Sequence, residues 1–367
     1  MHFSVFTHAE HFEGENTYFS YSPYIREMNI WFDFIDEVTI IAPLKNKKTA
    51  IDSSYNKNVE FAPIKTINFT SFKNSVISFF RIPVIVLEIY RAMYKTDHIH
   101  IRCPGNIGLL AALVQILFPG KSKTIKYAGN WDPKSEQPWT YRFQKWILKN
   151  EFLTRNANVL VYGEWSSRTN NIIPFFTASY SESNRNTYIK DFSLPQKFIF
   201  VGTLSEGKRP LLAVQIIHKL LQDGSKVFLD IYGSGIMEEG IRKYVEDHGL
   251  ESNIILHGNQ NAQVIMNAYK NSHFSILPSK SEGWPKALAE SMFFGCIPVA
   301  TSVSCVPWML GYGNRGFIIE PEVGLAAQRI KSILSDEMKL NILSIKAQQW
   351  SQVYTLEKFR IEIKKLL

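Results

Sequence analysis

Two glutamates stand eight positions apart at the start of a run typical of a helix, and their chemistry suits a polyhydroxylated ligand. Between Glu282 and Glu290 lie the residues of a helix start, Gly283, Trp284, Pro285 and Lys286. Eight residues correspond to about 12 Å of rise along a helix. Carboxylates accept hydrogen bonds from hydroxyl groups, and a helix N-terminus attracts phosphate. The alternative is that Glu282 caps the helix and Glu290 is a solvated surface residue.

A basic pair precedes a second predicted helix. A strand is expected to end at Gly202, Thr203 opens the loop that follows, and Pro210 begins the helix. Positive charges at a helix N-terminus oppose the helix macrodipole by a few tenths of a kcal/mol or more, so Lys208 and Arg209 are better explained by a bound anion. Two solvated basic residues are the alternative. This pattern favours a phosphate site.

A tight turn follows the next predicted strand, where Gly233 and Gly235 let the backbone approach a ligand. Glu238 occupies the place of the third glycine of the dinucleotide fingerprint, so a nicotinamide dehydrogenase fits poorly. No Asp-x-Asp pair occurs, and we therefore expect no metal site and no cofactor besides a co-substrate. The basic pair and the helix dipole would then stabilise the charge of a leaving diphosphate.

The elements that must position these residues alternate between β-rich and helical runs, which is typical of parallel sheets with crossover helices. We predict an α/β protein with two Rossmann-like, doubly wound domains, and an interdomain cleft as the place to look for a ligand. The first domain would cover residues 1–190 and the second 191–353, with a final helix over 354–367. The polar stretch from Ser179 to Lys190 is the expected linker.

The composition is globular, with 45% hydrophobic and 20% charged residues among 367. The net charge of +8 favours an anionic partner such as a nucleotide or a phospholipid surface. Basic residues are scattered and no nucleic-acid-binding module is recognised, so we expect no nucleic-acid partner. Three cysteines form no metal-ligand spacing and no even disulfide set, which favours a reducing compartment. Neither a signal peptide nor a spanning helix is expected.

The segment from Phe72 to Tyr94 is rich in Phe, Ile and Val but also carries basic residues such as Lys73 and Arg81. The simpler interpretation is a core-facing helix, kinked near Pro83. The alternative is a basic, apolar helix that rests on a membrane surface.

These motifs resemble glycosyltransferase family four, the retaining GT-B enzymes also described as glycosyl transferases group 1. The resemblance covers about a third of the chain, from Phe198 to Pro321, and includes the two glutamates and the run from Gly295 to Thr301. It implies a GT-B fold, with the acceptor on the N-terminal domain and the last helix crossing back to that domain. It also implies retention of anomeric configuration, with the leaving phosphate assisting proton transfer from the acceptor.

By this resemblance, Lys208 and Arg209 bind the donor diphosphate and Glu282 faces the transferred sugar, so these three are the catalytic candidates. Glu290 would hold the ribose of the donor. The full set of donor-binding candidates is Gly202, Thr203, Gly233, Gly235, Gly283, Trp284, Pro285, Lys286 and Glu290.

The N-terminal half departs from the family. The loop after the strand at Thr124–Ala128 lacks the histidine that the family often has, and a histidine-containing loop replaces a glycine-rich one after the first strand. Polar loop residues without a ligand are the alternative for these histidines. The acceptor-binding candidates are His8, His11, Asn130 and Trp131, and Asp132 is a further catalytic candidate.

We therefore expect a metal-independent hexosyltransferase that moves a sugar from a nucleotide sugar to a glycan or lipid-linked glycan in cell-surface polysaccharide synthesis. It is expected in the cytoplasm, with peripheral association with the inner face of a membrane as a further hypothesis. One alternative is a nucleotide-sugar epimerase of the same architecture, which would turn over donor without acceptor. Another is a non-catalytic sugar-nucleotide-binding protein, which would have little need of both the basic pair and the two glutamates.

Overall fold

A computed structural model describes residues 1–68, 71–165, 169–193 and 195–367. Their contacts divide the chain into two compact units, residues 1–176 with 359–367, and residues 177–358. Each unit is built on a parallel sheet with helices, which confirms the predicted α/β class and the two doubly wound domains. The polar stretch Ser179 to Lys190 lies near the start of the second unit and contains a short 3-10 helix, Glu182–Asn184.

The first unit contains a seven-stranded parallel sheet and a small antiparallel one. Its strands are β1 His2–Phe6, β2 Phe12–Glu13, β3 Tyr18–Tyr21, β4 Glu37–Pro43, β5 Asp52–Ser54, β6 Glu60–Ile64, β7 His98–Cys103, β8 Ser122–Tyr127, β9 Ala157–Tyr162 and β10 Ile172–Phe175. Its helices are α1 Ser22–Phe32, α2 Phe72–Lys95, α3 Asn106–Val114 and α4 Trp139–Lys149, and a 3-10 turn, Gln115–Leu117, extends α3. The parallel sheet has the order β10-β9-β8-β7-β1-β4-β6, and the small sheet has the order β2-β3-β5.

The strand order reverses between β1 and β7, and this reversal decides where the helices lie. From β6 onward, α2, α3 and α4 each lead to the next strand towards β9, and right-handed crossovers place all three on one side of the sheet. Their inner sides share one buried cluster, to which Ile85 and Met93 of α2, Ala111 of α3 and Leu148 of α4 belong. The predicted helix around Pro83 is therefore a core helix on its inner side.

The second unit contains a six-stranded parallel sheet. Its strands are β11 Gln196–Val201, β12 Val227–Tyr232, β13 Ile254–Gly258, β14 Phe274–Leu277, β15 Ile297–Thr301 and β16 Phe317–Ile319. Its helices are α5 Pro210–Gln222, α6 Glu238–Asp247, α7 Ala262–Asn271, α8 Lys286–Phe293, α9 Val306–Met309, α10 Val323–Leu334 and α11 Glu337–Ser351, and a 3-10 helix spans Gly311–Gly313. The order is β13-β12-β11-β14-β15-β16, so this sheet reverses between β11 and β14.

The last helix is α12 Leu356–Lys364. Residues 359–367 belong to the first unit, where Phe359 packs against Phe175 and Phe176 with ring centroids 5.6 Å apart in both cases. Across the described ranges of the chain, none of the helices has the length and apolar content needed to cross a membrane.

Candidate active site

The loops after β11 and β14 meet where the strand order of the second unit reverses. These two strands are neighbours, whereas the strands that follow each of them in sequence lie on opposite sides. Ligands of open α/β sheets bind beyond the carboxyl ends of the strands at such a point. The loop after β11 carries Lys208 and Arg209, and the loop after β14 carries Glu282. The topology thus brings three predicted catalytic residues to one crevice.

Lys208 and Glu282 form an ion pair in this crevice, in which the ammonium group contacts both carboxylate oxygens. Lys208 Nζ lies 2.6 Å from Oε1 and 2.8 Å from Oε2 of Glu282. The Glu282 side chain is 6% exposed and that of Lys208 is 31% exposed, so the carboxylate is the more buried partner. The pair satisfies a carboxylate that would otherwise be costly to bury. A backbone bond of 2.8 Å from the Lys280 N–H to the Gly207 carbonyl joins the same two loops.

Arg209 is the N-cap residue of α5 and has an unusual backbone. Its φ of 50° and ψ of 50° lie in the left-handed region, which residues other than glycine seldom adopt. Pro210 follows as the first helical residue, and Thr203 lies exposed earlier in the same loop. The first N–H groups of a helix have no intrahelical partner. The basic pair therefore lies next to a helix end of the kind that favours an anion.

The glycines of the predicted turn allow two backbone segments to touch. A Cβ atom on Gly233, whose φ is 131°, would lie 2.0 Å from the carbonyl oxygen of Gly202. A Cβ atom on Gly235 would lie 2.4 Å from the carbonyl oxygen of Leu204. The turn after β12 therefore presses against the loop after β11. These glycines shape the loop that carries the basic pair.

Glu290 lies on the second turn of α8, which Pro285 precedes and Lys286 begins. Its carboxylate accepts a hydrogen bond of 2.5 Å from the Ser179 hydroxyl and a longer one of 3.4 Å from the Tyr269 hydroxyl. Burial, and after it the charge of Glu290, raises the pKa of Tyr269, so this hydroxyl stays protonated as a donor. Glu290 thus already accepts from hydroxyl groups, which is the chemistry that a ribose would use.

Trp284 packs into an aromatic cluster and is nearly buried. Its ring centroid lies 6.1 Å from that of Trp350, 5.7 Å from Tyr354 and 6.3 Å from Trp308. The Gly283 carbonyl accepts from the Cys305 thiol at 3.2 Å. The Trp284 side chain therefore anchors the loop after β14 to this aromatic cluster.

The first unit has a cavity of about 1250 Å³ at its own reversal point. His8 and Glu10 line it from the loop after β1, and Gly105 and Asn106 line it from the loop after β7. Burial, reinforced by the charge of Arg102, lowers the pKa of His8, so its ring is neutral near pH 7. Apolar residues from α2, α3 and α4 complete the wall, namely Ile82, Leu109, Leu110, Trp139 and Tyr141.

Two other predicted acceptor residues lie in the interior of the first unit. His11 is fully buried, with Nε2 at 2.7 Å from the Tyr55 hydroxyl and Nδ1 at 2.8 Å from the Ala9 carbonyl. Its burial lowers its pKa to about 4. Trp131 is buried with its ring centroid 4.8 Å from that of Tyr127. Both side chains are engaged in packing in this structure.

Asn130 and Asp132 organise their own loop. The Asn130 side-chain oxygen accepts from the Asp132 N–H at 2.9 Å, and Asp132 accepts from the Lys134 N–H at 2.8 Å. Gln137 donates to the Asn130 carbonyl at 2.6 Å. Of the predicted residues of the first unit, the structure brings His8 to the cavity, whereas these two lie in a turn whose carbonyl groups also accept from Lys145 of α4.

Residues 188–350 match the family model described as glycosyl transferases group 1. The matched range contains the basic pair, the glycine turn and both glutamates, and falls inside the second unit. The second unit is a glycosyl transferases group 1 domain. The crevice between β11 and β14 therefore lies within the range that matches this family model.

Two curated proteins are similar in sequence. A stretch of 171 residues, 43% of this chain, is 26% identical to the poly(glycerol-phosphate) alpha-glucosyltransferase of Bacillus subtilis and spans only 24% of that protein. Over 361 residues, the chain is 24% identical to protein CapJ of Staphylococcus aureus, covering 92% of this chain and 88% of CapJ. The likeness to CapJ therefore extends beyond the group 1 domain.

Among solved structures, the lipopolysaccharide outer core galactosyltransferase WaaB has a TM-score of 0.69 to this chain. The two are 19% identical, and the match covers 100% of this chain and 99% of that one. This likeness shows the fold, which is the predicted GT-B type.

The sequence did not point to some of the residues around the two sites. Of the hydroxyl partners of Glu290, Ser179 lies before the matched range, and Tyr269 lies on α7, outside the motifs that carried the resemblance. In the first unit, the run Pro104, Gly105 and Asn106 after β7 is a signal that could have been found, because glycine follows a strand at the reversal point. Within the described parts of the chain, no three His, Cys, Asp or Glu side chains are grouped so as to hold a metal ion.

Proposed function

We propose that the chain is a retaining, metal-independent glycosyltransferase that moves a hexose from a nucleotide sugar to a glycan or lipid-linked glycan in cell-surface polysaccharide synthesis. The observation that carries this proposal is the Lys208–Glu282 pair at the reversal point of the group 1 domain. It combines a cation for a diphosphate and a carboxylate for sugar hydroxyls in a single crevice.

The basic pair would balance the charge of the leaving diphosphate. In the reaction, the bond between the anomeric carbon and the diphosphate oxygen breaks, and a bond to the acceptor oxygen forms on the same face of the sugar. The acceptor proton passes to the departing phosphate. Lys208, Arg209 and the N-terminus of α5 stabilise the negative charge that develops, which is the role that a metal takes in other transferases.

The two glutamates would hold the uncharged parts of the donor. When a diphosphate attracts Lys208, the Glu282 carboxylate becomes available to hydroxyl groups of the transferred sugar. Glu290 would bind the ribose in place of the Ser179 hydroxyl that it now accepts from. The backbone of Gly283 and Trp284, next to the N-terminus of α8, would contact sugar or phosphate.

The acceptor is assigned to the first unit, in the cavity that His8 lines. A neutral His8 ring can accept a proton or a hydrogen bond from a hydroxyl group. The names of the similar proteins, which include a poly(glycerol-phosphate) glucosyltransferase and a lipopolysaccharide galactosyltransferase, support a polymer of the cell surface as the product. We further propose that the protein works in the cytoplasm, at the inner face of a membrane.

Two other functions remain as outcomes of experiment. A nucleotide-sugar epimerase would convert the donor without any acceptor. A non-catalytic binding protein would bind the donor and release it unchanged. Incubation of each nucleotide sugar alone, followed by anomeric proton NMR, separates an epimerase from a transferase. Incubation with a glycan acceptor added separates a binding protein from a transferase.

The deciding experiment is a thermal-shift panel of UDP-, GDP-, ADP- and CMP-sugars in EDTA. Wild type should be stabilised by one nucleotide class, and Glu290→Ala should lose most of that shift. Glu238→Ala, which removes a half-buried carboxylate that pairs with the exposed Arg242, is the control and should keep the shift. No shift with any of the four classes, or an equal shift in Glu290→Ala, would refute the assigned donor site. A shift that needs added metal would refute metal independence.

A further inference from the structure

The outer side of α2 exposes an apolar stripe. Its side chains recur at helical spacing and are Phe72, Val76, Phe79, Phe80, Val84 and Leu87. Phe72, Phe79 and Phe80 are 87%, 69% and 73% exposed. A surface helix ordinarily turns polar residues outward, but α2 is apolar on its outer side as well as on the side that packs into the core. Exposed apolar surface of this extent marks an interaction site.

The exposed apolar surface continues on the two neighbouring helices. Leu113 of α3, Leu117 just after it, and Trp139, Phe143 and Trp146 of α4 are exposed. Trp139 is 69% and Trp146 55% exposed, and the Phe143 and Trp146 rings stack with centroids 5.9 Å apart. Since α2, α3 and α4 lie on one side of the sheet, their outer sides form one surface, which we name the aromatic face.

The charges on the helices of the aromatic face are nearly all positive. The basic residues that are exposed or half-buried are Lys73, Arg81, Arg91 and Lys95 on α2 and Arg142 and Lys149 on α4. The acidic residue among them is Glu88, which pairs with Arg91 at 2.9 Å. Aromatic rings with basic residues among them are the composition of protein surfaces at a lipid–water boundary, because rings settle at headgroup level and cations attract anionic lipid.

We propose that the aromatic face docks on a bilayer that contains anionic phospholipid. The charge favours lipid over a second copy of the chain as the occupant. A two-fold dimer would bring the same basic surface against itself, and like charges across an interface are unfavourable. Anionic headgroups instead neutralise every exposed cation while the Phe and Trp side chains leave water.

The cavity of the first unit shares its helices with the aromatic face. Trp139 belongs to both, and Ile82 of α2 and Leu110 of α3 line the cavity from helices whose outer sides form the face. A docked protein would hold the cavity close to the bilayer. An acceptor anchored there by a lipid could reach the cavity without exposing its chain to water. This last step rests on the proposed function, because it assumes that the cavity takes the acceptor, whereas docking itself does not.

The test is co-sedimentation of the full chain with sucrose-loaded vesicles of phosphatidylcholine, with and without phosphatidylglycerol. Wild type should bind the anionic vesicles and bind them less in high salt. Phe79→Ser with Phe80→Ser should lower the partition coefficient about tenfold or more, because two aromatic side chains lose their burial in lipid. The matched control is Met338→Ser with Ile342→Ser, which removes exposed apolar side chains of α11 in the other unit and should bind as wild type.

A second measurement distinguishes a loss of lipid contact from a loss of the fold. Trp139→Phe with Trp146→Phe keeps two aromatic rings but should remove most of the quenching of tryptophan fluorescence by brominated lipid. Equal binding to neutral and anionic vesicles, or unchanged binding of the Phe79/Phe80 variant, would overturn the proposal. The proposal would also be overturned if the wild type formed a dimer and did not bind vesicles, and if the Phe79/Phe80 variant were monomeric. The nucleotide thermal shift of the wild type is measured in parallel. Vesicle binding without a thermal shift would refute only the donor site, and a thermal shift without vesicle binding would refute only docking.

Discussion

The ammonium group of Lys208 contacts both carboxylate oxygens of Glu282, although 74 residues separate them in the chain. The contact arises because β11 and β14 are adjacent where the sheet order reverses. The carboxylate thus holds the cation that a diphosphate would need. Donor binding would exchange one partner of Lys208 for another, and the same step would expose Glu282 to the sugar.

Removal of Lys208 should weaken donor binding and destabilise the fold together. In Lys208→Ala, Glu282 remains largely buried without its cation, which we expect to cost about 1–2 kcal/mol of unfolding free energy after allowance for the partly exposed lysine. Donor affinity should fall by about ten- to a hundredfold because a charge-assisted bond to phosphate is lost. Urea unfolding and titration calorimetry with the nucleotide sugar measure the two effects.

The control for this change is Arg242→Ala, which breaks an exposed helical pair with Glu238 at 2.8 Å. It should shift stability by less than about 1 kcal/mol and leave donor affinity unchanged. Wild-type donor affinity in Lys208→Ala would contradict the role given to this lysine.

A methyl group on Gly233 should displace the loop that carries the basic pair. The Cβ atom would come 2.0 Å from the Gly202 carbonyl oxygen, at a φ of 131° that favours glycine. We expect Gly233→Ala to lose about 2–4 kcal/mol of stability and most of the donor affinity. Gly240→Ala is the matched control, since a Cβ atom at this α6 position meets nothing within 4 Å. It should gain about 0.5–1 kcal/mol by helix propensity. Similar unfolding midpoints for the two variants would contradict this argument.

The meeting of the loops that carry the predicted donor motifs could be predicted from the sequence, because each motif follows a strand of a parallel sheet. Once Gly202 and Glu282 are assigned to loops after strands, topology alone brings those loops to one edge. The geometry within the site was less predictable. Trp284 lies in a motif, but its side chain packs with Trp308 and Trp350, which belong to distant helices. Such long-range packing leaves no local pattern.

In the first unit, residue type was a weaker guide. His8 and His11 are three positions apart in one loop, yet one lines the cavity and the other is buried against Tyr55. The difference depends on Tyr55, which directly follows β5. This strand has three residues and no clear pattern in the sequence. The outer side of α2 was predictable as apolar from Phe72 onward, whereas its continuation over α3 and α4 required the sheet order.

A side chain at Gly105 should disturb acceptor binding but not donor binding. A Cβ atom there would lie 2.8 Å from His8 Nδ1, at a φ of 146°. Gly105→Ala should therefore move the His8 ring within the cavity and raise the KM for the acceptor about tenfold or more. The nucleotide thermal shift should stay as in wild type. Gly120→Ala, where a Cβ atom meets nothing within 4 Å, should change neither quantity. An unchanged acceptor KM in Gly105→Ala would argue against the cavity as the acceptor site.

The buried histidines of the first unit should make its stability fall in mild acid. Burial lowers the pKa of His98, which lies 3.0 Å from the Thr124 hydroxyl, to about 4, and that of His11 to about 4. An unfolded histidine titrates near 6.5. Between about pH 4 and 6.5 the unfolded chain binds protons that the folded chain does not, so the stabilisation is complete above about pH 6.5 and is lost as the pH falls towards 4.

Each of these histidines should contribute about 3 kcal/mol over that window, an order-of-magnitude figure from the difference of the two pKa values. His98→Gln keeps a hydrogen-bonding side chain next to Thr124 but cannot titrate. Denaturant unfolding of the full chain at several pH values between about 4 and 7.5 should show a slope smaller by up to one proton in this variant than in wild type. If His98→Gln loses stability equally at every pH, the histidine acts through packing alone and the acid sensitivity comes from other groups.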